Sequence, residues 1–217
     1  MKPFDCFTGI AAPFDEVDVD TDQIIPTRFL LEARSDGNYG RRLFHDLRYD
    51  ESGAERPGFV LNQGPFRQAE VLVANDNFGC GSSREQAAWA CADFGFRAIV
   101  APSLGDIFKA NCAKLGIVPA IMSAAALQRL RDALRGSPGE AVTVDLVNNV
   151  VTGPGNWNEV LLIEDCFRHR LLHGCDDFDL SHRHHAAIEE FRKTYSSNFP
   201  WADPTWNRAN PDNAPGL

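Results

Sequence analysis

The sequence has no apolar run long enough to cross a membrane as a helix. Such a helix needs roughly 18 or more consecutive apolar residues, and none of the apolar runs in the 217 residues approaches that length. The first residues also lack the apolar core of a signal peptide. We therefore expect no membrane contact and a cytoplasmic location.

Paired cysteines are also missing, since the six cysteines include no C-x-x-C motif. Zinc and iron–sulfur sites in proteins commonly use cysteines at such short spacing, so the sequence predicts no metal site on this chain. Free cysteines are usually small buried residues, and we expect that role for most of them. Cys80 differs because it lies inside a glycine-rich loop.

Positive charge is scarce, with 21 basic against 30 acidic side chains and a formal net charge of -9. A nucleic-acid-binding protein usually presents a basic face, so the balance argues against a nucleic-acid partner. The acidic segment at residues 15–22 does not match the spacing of a calcium loop. We expect it to form a solvated turn in which Asp22 orients a neighbouring group or caps the turn.

Short apolar runs alternate with helical patterns after residue 70, which is typical of parallel β-α-β units. The predicted strands are 71–74, 97–101, 117–121 and 141–147, the last joined to Val150 by a hairpin turn. The predicted helices are 87–94, 104–115, 124–135 with Ser123 as cap, 158–173 and 181–195. The sequence thus predicts an α/β fold with a single domain over residues 1–197 and an irregular tail over 198–217.

One stretch, residues 75–86 with the sequence NDNFGCGSSREQ, lies between a predicted strand and a predicted helix. Its two glycines allow backbone conformations with positive φ and close approach to a ligand. Two serines and Arg84 follow where a helix leaves its first N–H groups unpaired. Guanidinium and free N–H groups both favour an anion, so the stretch predicts a carboxylate or phosphate site.

Two interpretations of this stretch remain open on spacing alone. A serine beside these dipoles and the guanidinium can act as a base, because they stabilise its alkoxide. Alternatively, Ser82 or Ser83 only caps the helix, Glu85 completes a capping box and Arg84 faces solvent. Neither a G-x-S-x-G nucleophile elbow nor a P-loop fits the residues.

Residues 77–85 (NFGCGSSRE), followed by AAWA at 87–90, resemble the signature of the swivelling domain of the aconitase superfamily. Within it, the chain is similar to the family of 3-isopropylmalate dehydratase small subunits over residues 4–197. Further matching segments are 20–26 (DTDQIIP), 101–103 (APS), 106–108 (DIF), Asn111, 116–119 (GIVP) and 188–191 (IEEF). The resemblance implies a swivelling β/β/α domain that closes over an active site housed mainly on another chain.

For the activity, the resemblance implies a hydro-lyase of leucine biosynthesis that interconverts 2-isopropylmalate and 3-isopropylmalate by dehydration and rehydration. Its 4Fe-4S cluster is expected on a partner large subunit, with no cofactor on this chain. The implied roles are Ser82 as base, Ser83 and Arg84 as carboxylate ligands, Gly81 as part of the N–H-donating loop, Arg28 or Arg34 as a second positive group, and Asp22 and Cys80 as supporting residues.

Substrate choice within this chemistry stays open. A paralogous hydro-lyase would act on homoaconitate, citraconate with methylmalate, or a dimethylmalate, and the apolar Leu31 favours an alkyl malate. A non-catalytic binding module is the alternative from another class. Many family members have histidine where this chain has Gln86, which we expect to point away from Arg84.

Overall fold

The computed structural model describes residues 1–37 and 39–202, which fall into two compact units, Met1–Gly174 and a second one beginning at Cys175. The strands of the first unit are β1 (Cys6–Pro13), β2 (Val71–Val73), β3 (Ala98–Ala101), β4 (Val118–Ile121), β5 (Ala141–Asp145), β6 (Val150–Gly153) and β7 (Trp157–Val160). Its helices are α1 (Thr21–Ile24), α2 (Tyr39–Arg42), α3 (His45–Arg48), α4 (Glu85–Phe94), α5 (Asp106–Lys114), α6 (Ala124–Gly136) and α7 (Asp165–His173). These elements confirm the predicted α/β class.

The described strands form one mixed sheet in the order β4-β3-β2-β1-β5-β6-β7. Strands β1 to β4 pair in parallel, whereas β5, β6 and β7 are antiparallel to their neighbours. The carboxyl ends of β1, β2 and β3 therefore meet at one edge of the sheet. In open α/β sheets ligands bind at that edge, and the loop at residues 75–84 leaves β2 there.

Both faces of the parallel half are buried, which explains its continuous apolar runs. Leu72 and Ile99 belong to one core cluster, while Val71, Val73 and Val100 belong to the other. Successive residues of a strand point to opposite faces, so the two clusters lie on opposite sides of the sheet.

The sequence prediction was wrong over residues 158–164. Trp157–Val160 form β7 and pair with β6, and helix α7 begins only at Asp165. An alternating strand and an amphipathic helix are hard to distinguish over so short an apolar run. Pairing with β6 stabilises the strand, and the periodicity of the sequence does not reveal that pairing.

The second unit contains α8 (Asp177–His182) and α9 (His185–Asn198), so the single helix predicted over 181–195 is interrupted. Asp176 starts α8 with a capping box. No helix in the described part of the chain is long and apolar enough to cross a membrane. Residues 203–217 of the predicted tail lie outside the described residues, and the predicted domain limits stay a prediction.

Helix α1 is short, yet it is fixed at both ends. At its start, the Asp20 carboxylate accepts from the Gln23 N–H (2.8 Å), and the Gln23 side chain accepts from the Asp20 N–H in return (2.9 Å). At its end, the Phe44 N–H donates to the Ile24 carbonyl (2.8 Å). The Phe44 ring stacks on Phe14 with centroids 4.9 Å apart, an aromatic pairing that contributes about 0.5–1.5 kcal/mol beyond its area burial.

Candidate active site

The acidic segment at residues 15–22 lies alongside the loop at residues 75–82. The hydrogen bonds that join them include Asn75 Nδ2 to Asp15 O (2.8 Å), Asp18 N to Asp76 O (3.0 Å), Gly79 N to Val19 O (2.7 Å) and Thr21 N to Cys80 O (3.0 Å). Asp18 also accepts from the Asn77 side-chain amide (2.8 Å). Most of the acidic side chains of this segment are exposed, as predicted for a solvated turn, but the segment is also paired with the loop.

A second segment, at residues 103–105, fixes the other side of the loop. The Ser103 hydroxyl accepts from the Asn77 N–H (2.8 Å) and donates to the Asp76 carboxylate. The Gly105 N–H donates to the Phe78 carbonyl (2.9 Å). Because two separate segments hold it, the loop has a defined conformation before any ligand binds.

The loop glycines are required by conformation and by space. Gly79 and Gly81 have φ of +75° and +85°, a region that residues with a Cβ adopt only with strain. A Cβ on Gly79 would lie 2.4 Å from Phe108 Cγ, and a Cβ on Gly105 would lie 2.3 Å from the Gly79 carbonyl oxygen. The loop therefore packs directly against the start of α5.

A cavity of about 150 Å³ opens where the loop meets the first turns of α4 and α5. Its lining residues are Thr21, Gly79, Cys80, Gly81, Ser82, Ser83, Arg84, Gly105, Asp106, Ile107 and Phe108. The N-cap residues of the two helices are Arg84 and Gly105, and neither makes a side-chain capping bond. The first N–H groups of α5 and the guanidinium of Arg84 give this cavity a positive potential suited to an anion.

The structure rules out the interpretation in which a serine caps α4 and Arg84 faces solvent. Arg84 itself occupies the N-cap position, and its side chain is only 16% exposed. Ser82 and Ser83 are exposed, and within the described residues neither hydroxyl has a protein hydrogen-bond partner. Both hydroxyls are thus available to a ligand.

Arg84 forms a two-point ion pair with Asp22. Its Nη2 donates to Asp22 Oδ2 (3.0 Å) and its Nη1 donates to Asp22 Oδ1. Hydrogen bonds from Arg84 and then from Thr27 lower the pKa of Asp22 to about 2. A guanidinium has five N–H donors, so Asp22 orients Arg84 and leaves donors for a substrate carboxylate.

The other predicted arginines lie outside this cavity. Arg28 pairs with Asp46 (Nη1 to Oδ2, 3.0 Å) and lines a neighbouring cavity of about 400 Å³ together with Asp22. Arg34 pairs with Asp93 (2.7 Å) and lies over the Trp89 ring. Arg28 is thus close to the ion pair of Arg84, whereas Arg34 is engaged on the side of α4.

Cys80 lines the cavity and is half-buried. Burial, and then the nearby charges of Asp20 and Asp18, raise the pKa of its thiol. A protonated thiol is a weak nucleophile, which fits a supporting role. Of the remaining cysteines, three are buried and two exposed.

Two features of the site were not identified from the sequence. Thr21, buried beside the loop, donates its hydroxyl to the Ser82 carbonyl (2.8 Å). The start of α5 at Gly105 forms one wall of the cavity. A signal for the second existed, since Gly105 follows strand β3 at the same edge of the sheet.

Metal-binding groups are absent from the described part of the chain, where no three or more histidine, cysteine, aspartate or glutamate side chains are arranged to hold an ion. The acids of residues 15–22 bind protein groups instead: Asp18 contacts Asn77, Asp20 caps α1, and Asp22 contacts Arg84. These donors do not fit an iron–sulfur cluster, which needs several thiolates at one point.

Comparison with known proteins gives consistent matches. Residues 1–125 match the model of the aconitase C-terminal domain. The chain is 46% identical to the 3-isopropylmalate dehydratase small subunit of Rhizobium etli over 203 residues, covering 93% of this chain and all of that protein. It is 43% identical to that of Dinoroseobacter shibae, with the same coverage.

A solved structure agrees with the sequence matches. The crystal structure of 3-isopropylmalate dehydratase from Methanocaldococcus jannaschii superposes with a TM-score of 0.61 and 25% identity, covering 85% of this chain and 99% of that one. The predicted swivelling-domain fold is thereby confirmed. The chain belongs to the family of 3-isopropylmalate dehydratase small subunits, which carry the aconitase C-terminal domain.

Proposed function

We propose that this chain supplies the base and a carboxylate-binding group of a hydro-lyase that interconverts 2-isopropylmalate and 3-isopropylmalate in leucine biosynthesis. The carrying observation is that the exposed Ser82 and Ser83 share one cavity with Arg84, which Asp22 holds in place. The family to which the chain belongs supports the isopropylmalates as substrates, and the cavity contains groups that suit a dicarboxylate. Arg28 and Arg34 stay proposals as the second positive group.

Ser82 would remove the proton α to a substrate carboxylate during dehydration. A serine hydroxyl is a poor base in water, so its alkoxide must be stabilised by nearby positive charge and N–H donors. Arg84 provides the positive charge, and the N–H groups of Gly81 and Ser83, which have no acceptor among the described residues, provide donors in the same cavity. In the rehydration step, the Ser82 hydroxyl returns the proton to the other carbon of the double bond.

Ser83 and Arg84 would hold the substrate carboxylate that lies next to the reacting carbon. A guanidinium and a carboxylate form two parallel hydrogen bonds, which fix distance and orientation together. This geometry keeps the acidic C–H bond close to Ser82 Oγ, and holding two reacting groups in place is a large part of catalysis.

The reaction also requires departure of a hydroxyl, and we place the group that assists it on a partner large subunit. A 4Fe-4S cluster there would supply a Lewis-acidic iron for the hydroxyl and one carboxylate. We propose a cytoplasmic enzyme that is assembled from the two chains and needs no nucleic acid.

Reconstitution with the large subunit of the same organism tests the function. We expect turnover of 2-isopropylmalate in the wild-type enzyme and a loss of about 100-fold or more in kcat for Ser82→Ala, as for loss of a general base. Ser137→Ala, at an exposed serine between α6 and β5, is the matched control and should leave kcat unchanged. Undiminished turnover by Ser82→Ala would exclude this serine as the base.

A substrate panel separates the proposed activity from that of paralogous hydro-lyases. We expect kcat/KM to be higher for the isopropylmalates than for homoaconitate, methylmalate or dimethylmalate. A higher kcat/KM for homoaconitate would support the proposed chemistry but identify homoaconitate as the substrate.

A salt-dependent titration with RNA tests the alternative that the chain is a non-catalytic binding module. Tight RNA binding would favour that alternative.

A further inference from the structure

Thr21 contacts the catalytic loop on both sides of Gly81. Its backbone N–H donates to the Cys80 carbonyl (3.0 Å), and its hydroxyl donates to the Ser82 carbonyl (2.8 Å). The residue is only 3% exposed, so these bonds are shielded from water. Thr21 is also the first residue of α1, directly before Asp22.

These two bonds determine which way the loop N–H groups point. A trans peptide places its carbonyl and the following N–H on opposite sides, and the described residues contain no cis peptide. Since Thr21 binds the carbonyls of Cys80 and Ser82, the N–H groups of Gly81 and Ser83 point away from it. Neither of these N–H groups has an acceptor among the described residues.

We propose that Thr21 is a positioning residue whose hydroxyl fixes the Ser82–Ser83 peptide so that Ser82 Oγ and the Ser83 N–H are held toward the substrate. The inference rests on the proposed function, because it assumes that Ser82 is the base. The start of α1 would then position both the proposed base and the proposed carboxylate ligand. Thr21 holds the Ser82 backbone, and Asp22 holds the Arg84 side chain.

The test compares Thr21→Val with Thr21→Ser in the enzyme reconstituted with its large subunit. Valine keeps the shape and removes the donor, so kcat should fall about 10- to 100-fold, as expected for small misplacement of a reacting group. KM should change less than about threefold, because substrate binding by Arg84 persists. Serine keeps the hydroxyl and should retain kcat within about threefold of wild type.

Thr143→Val is the matched control. Thr143 in β5 shares one hydroxyl hydrogen bond with Thr8 (2.7 Å), in the antiparallel half of the sheet. The Thr143→Val variant loses one side-chain hydrogen bond, as Thr21→Val does, and should keep wild-type kcat. Melting temperatures of all variants separate a general loss of stability from a specific loss of turnover.

Distinct outcomes overturn the two proposals. If Ser82→Ala is inactive and Thr21→Val keeps wild-type kcat, the proposed function stands and the role of Thr21 fails. An equal kcat loss in Thr21→Val and Thr21→Ser also overturns it, since the hydroxyl would not be the cause. If Thr21→Val does not assemble, Thr21→Ser decides alone: near wild-type kcat supports the role, and a loss above about 10-fold refutes it.

Discussion

The ion pair between Asp22 and Arg84 can be tested by Asp22→Asn, which removes the charge and keeps the shape. Hydrogen bonds from Arg84 and then from Thr27 lower the pKa of Asp22 from 3.8 to about 2. The Asp22 side chain is 52% exposed, so solvent screens the pair, and such pairs contribute only about 0.2–1 kcal/mol to stability. We expect the free energy of unfolding to fall by this amount at neutral pH.

The stability difference should depend on pH in one direction. Because the folded-state pKa of Asp22 lies below its unfolded value, the stabilisation is present above about pH 4 and is lost as the pH falls toward 2. Urea unfolding of wild type and Asp22→Asn between pH 7 and pH 2 measures this. The two free energies of unfolding should converge at the acidic end.

The effect on activity should be larger than the effect on stability. An amide in place of the carboxylate accepts at only one of its two positions, so the Arg84 guanidinium loses one of its two fixed contacts and the charge that held it. Misorientation of the proposed substrate-binding group should cost about 10- to 100-fold in kcat/KM. Steady-state assays of the reconstituted enzyme at pH 7 measure the loss. The same assays should show an unchanged kcat/KM for a variant in which an ion pair away from the loop is broken.

Glu55→Gln provides that control, because Glu55 forms a two-point ion pair with Arg67 that is partly exposed to solvent and lies apart from the cavity. It should lose a similar small amount of stability and keep wild-type kcat/KM. If Asp22→Asn and Glu55→Gln had the same kcat/KM, the orientation of Arg84 by Asp22 would not matter for catalysis. That result would refute the role of Asp22.

Two further substitutions test the loop and the substrate. Gly79→Ala should destabilise the protein by about 1–3 kcal/mol more than Gly53→Ala in chemical denaturation. Both glycines have positive φ, but a Cβ would meet the Phe108 ring at Gly79 and nothing at Gly53. Equal losses of stability would contradict the close packing. Leu31→Arg, at a side chain that is 98% exposed, should shift relative kcat/KM toward homoaconitate by about 10-fold, and an unchanged ratio would exclude Leu31 from substrate choice.

The parallel half of the fold was predictable because its signals are local. The runs at β2, β3 and β4 are short, apolar and separated by helices that end at glycine, as in Gly95 after α4. Strand β7 was not predictable in this way, since its identity depends on pairing with β6. Periodicity over four residues cannot distinguish the two states.

The site was predictable in its components but not in its contacts. The motif at 77–85 identified Ser82, Ser83 and Arg84 as candidates, and the structure places all three on one cavity. Which acid meets Arg84 depends on the pairing of residues 15–22 with 75–82, about 60 positions apart in sequence. No local pattern determines such pairing, and for the same reason the engagement of Arg34 by Asp93 was unforeseen.

The exposure of Ser82 explains why the chain would need a partner for catalysis. In water the high dielectric weakens the attraction between an alkoxide and Arg84, whereas in a site closed to water the same charges interact several times more strongly. The loop is already fixed by Thr21, Asp22 and the start of α5, so closure has only to exclude solvent and deliver the substrate. A large subunit that covers this edge of the sheet would therefore stabilise the Ser82 alkoxide and increase the fraction of Ser82 present in that form, without rearranging the residues that hold it.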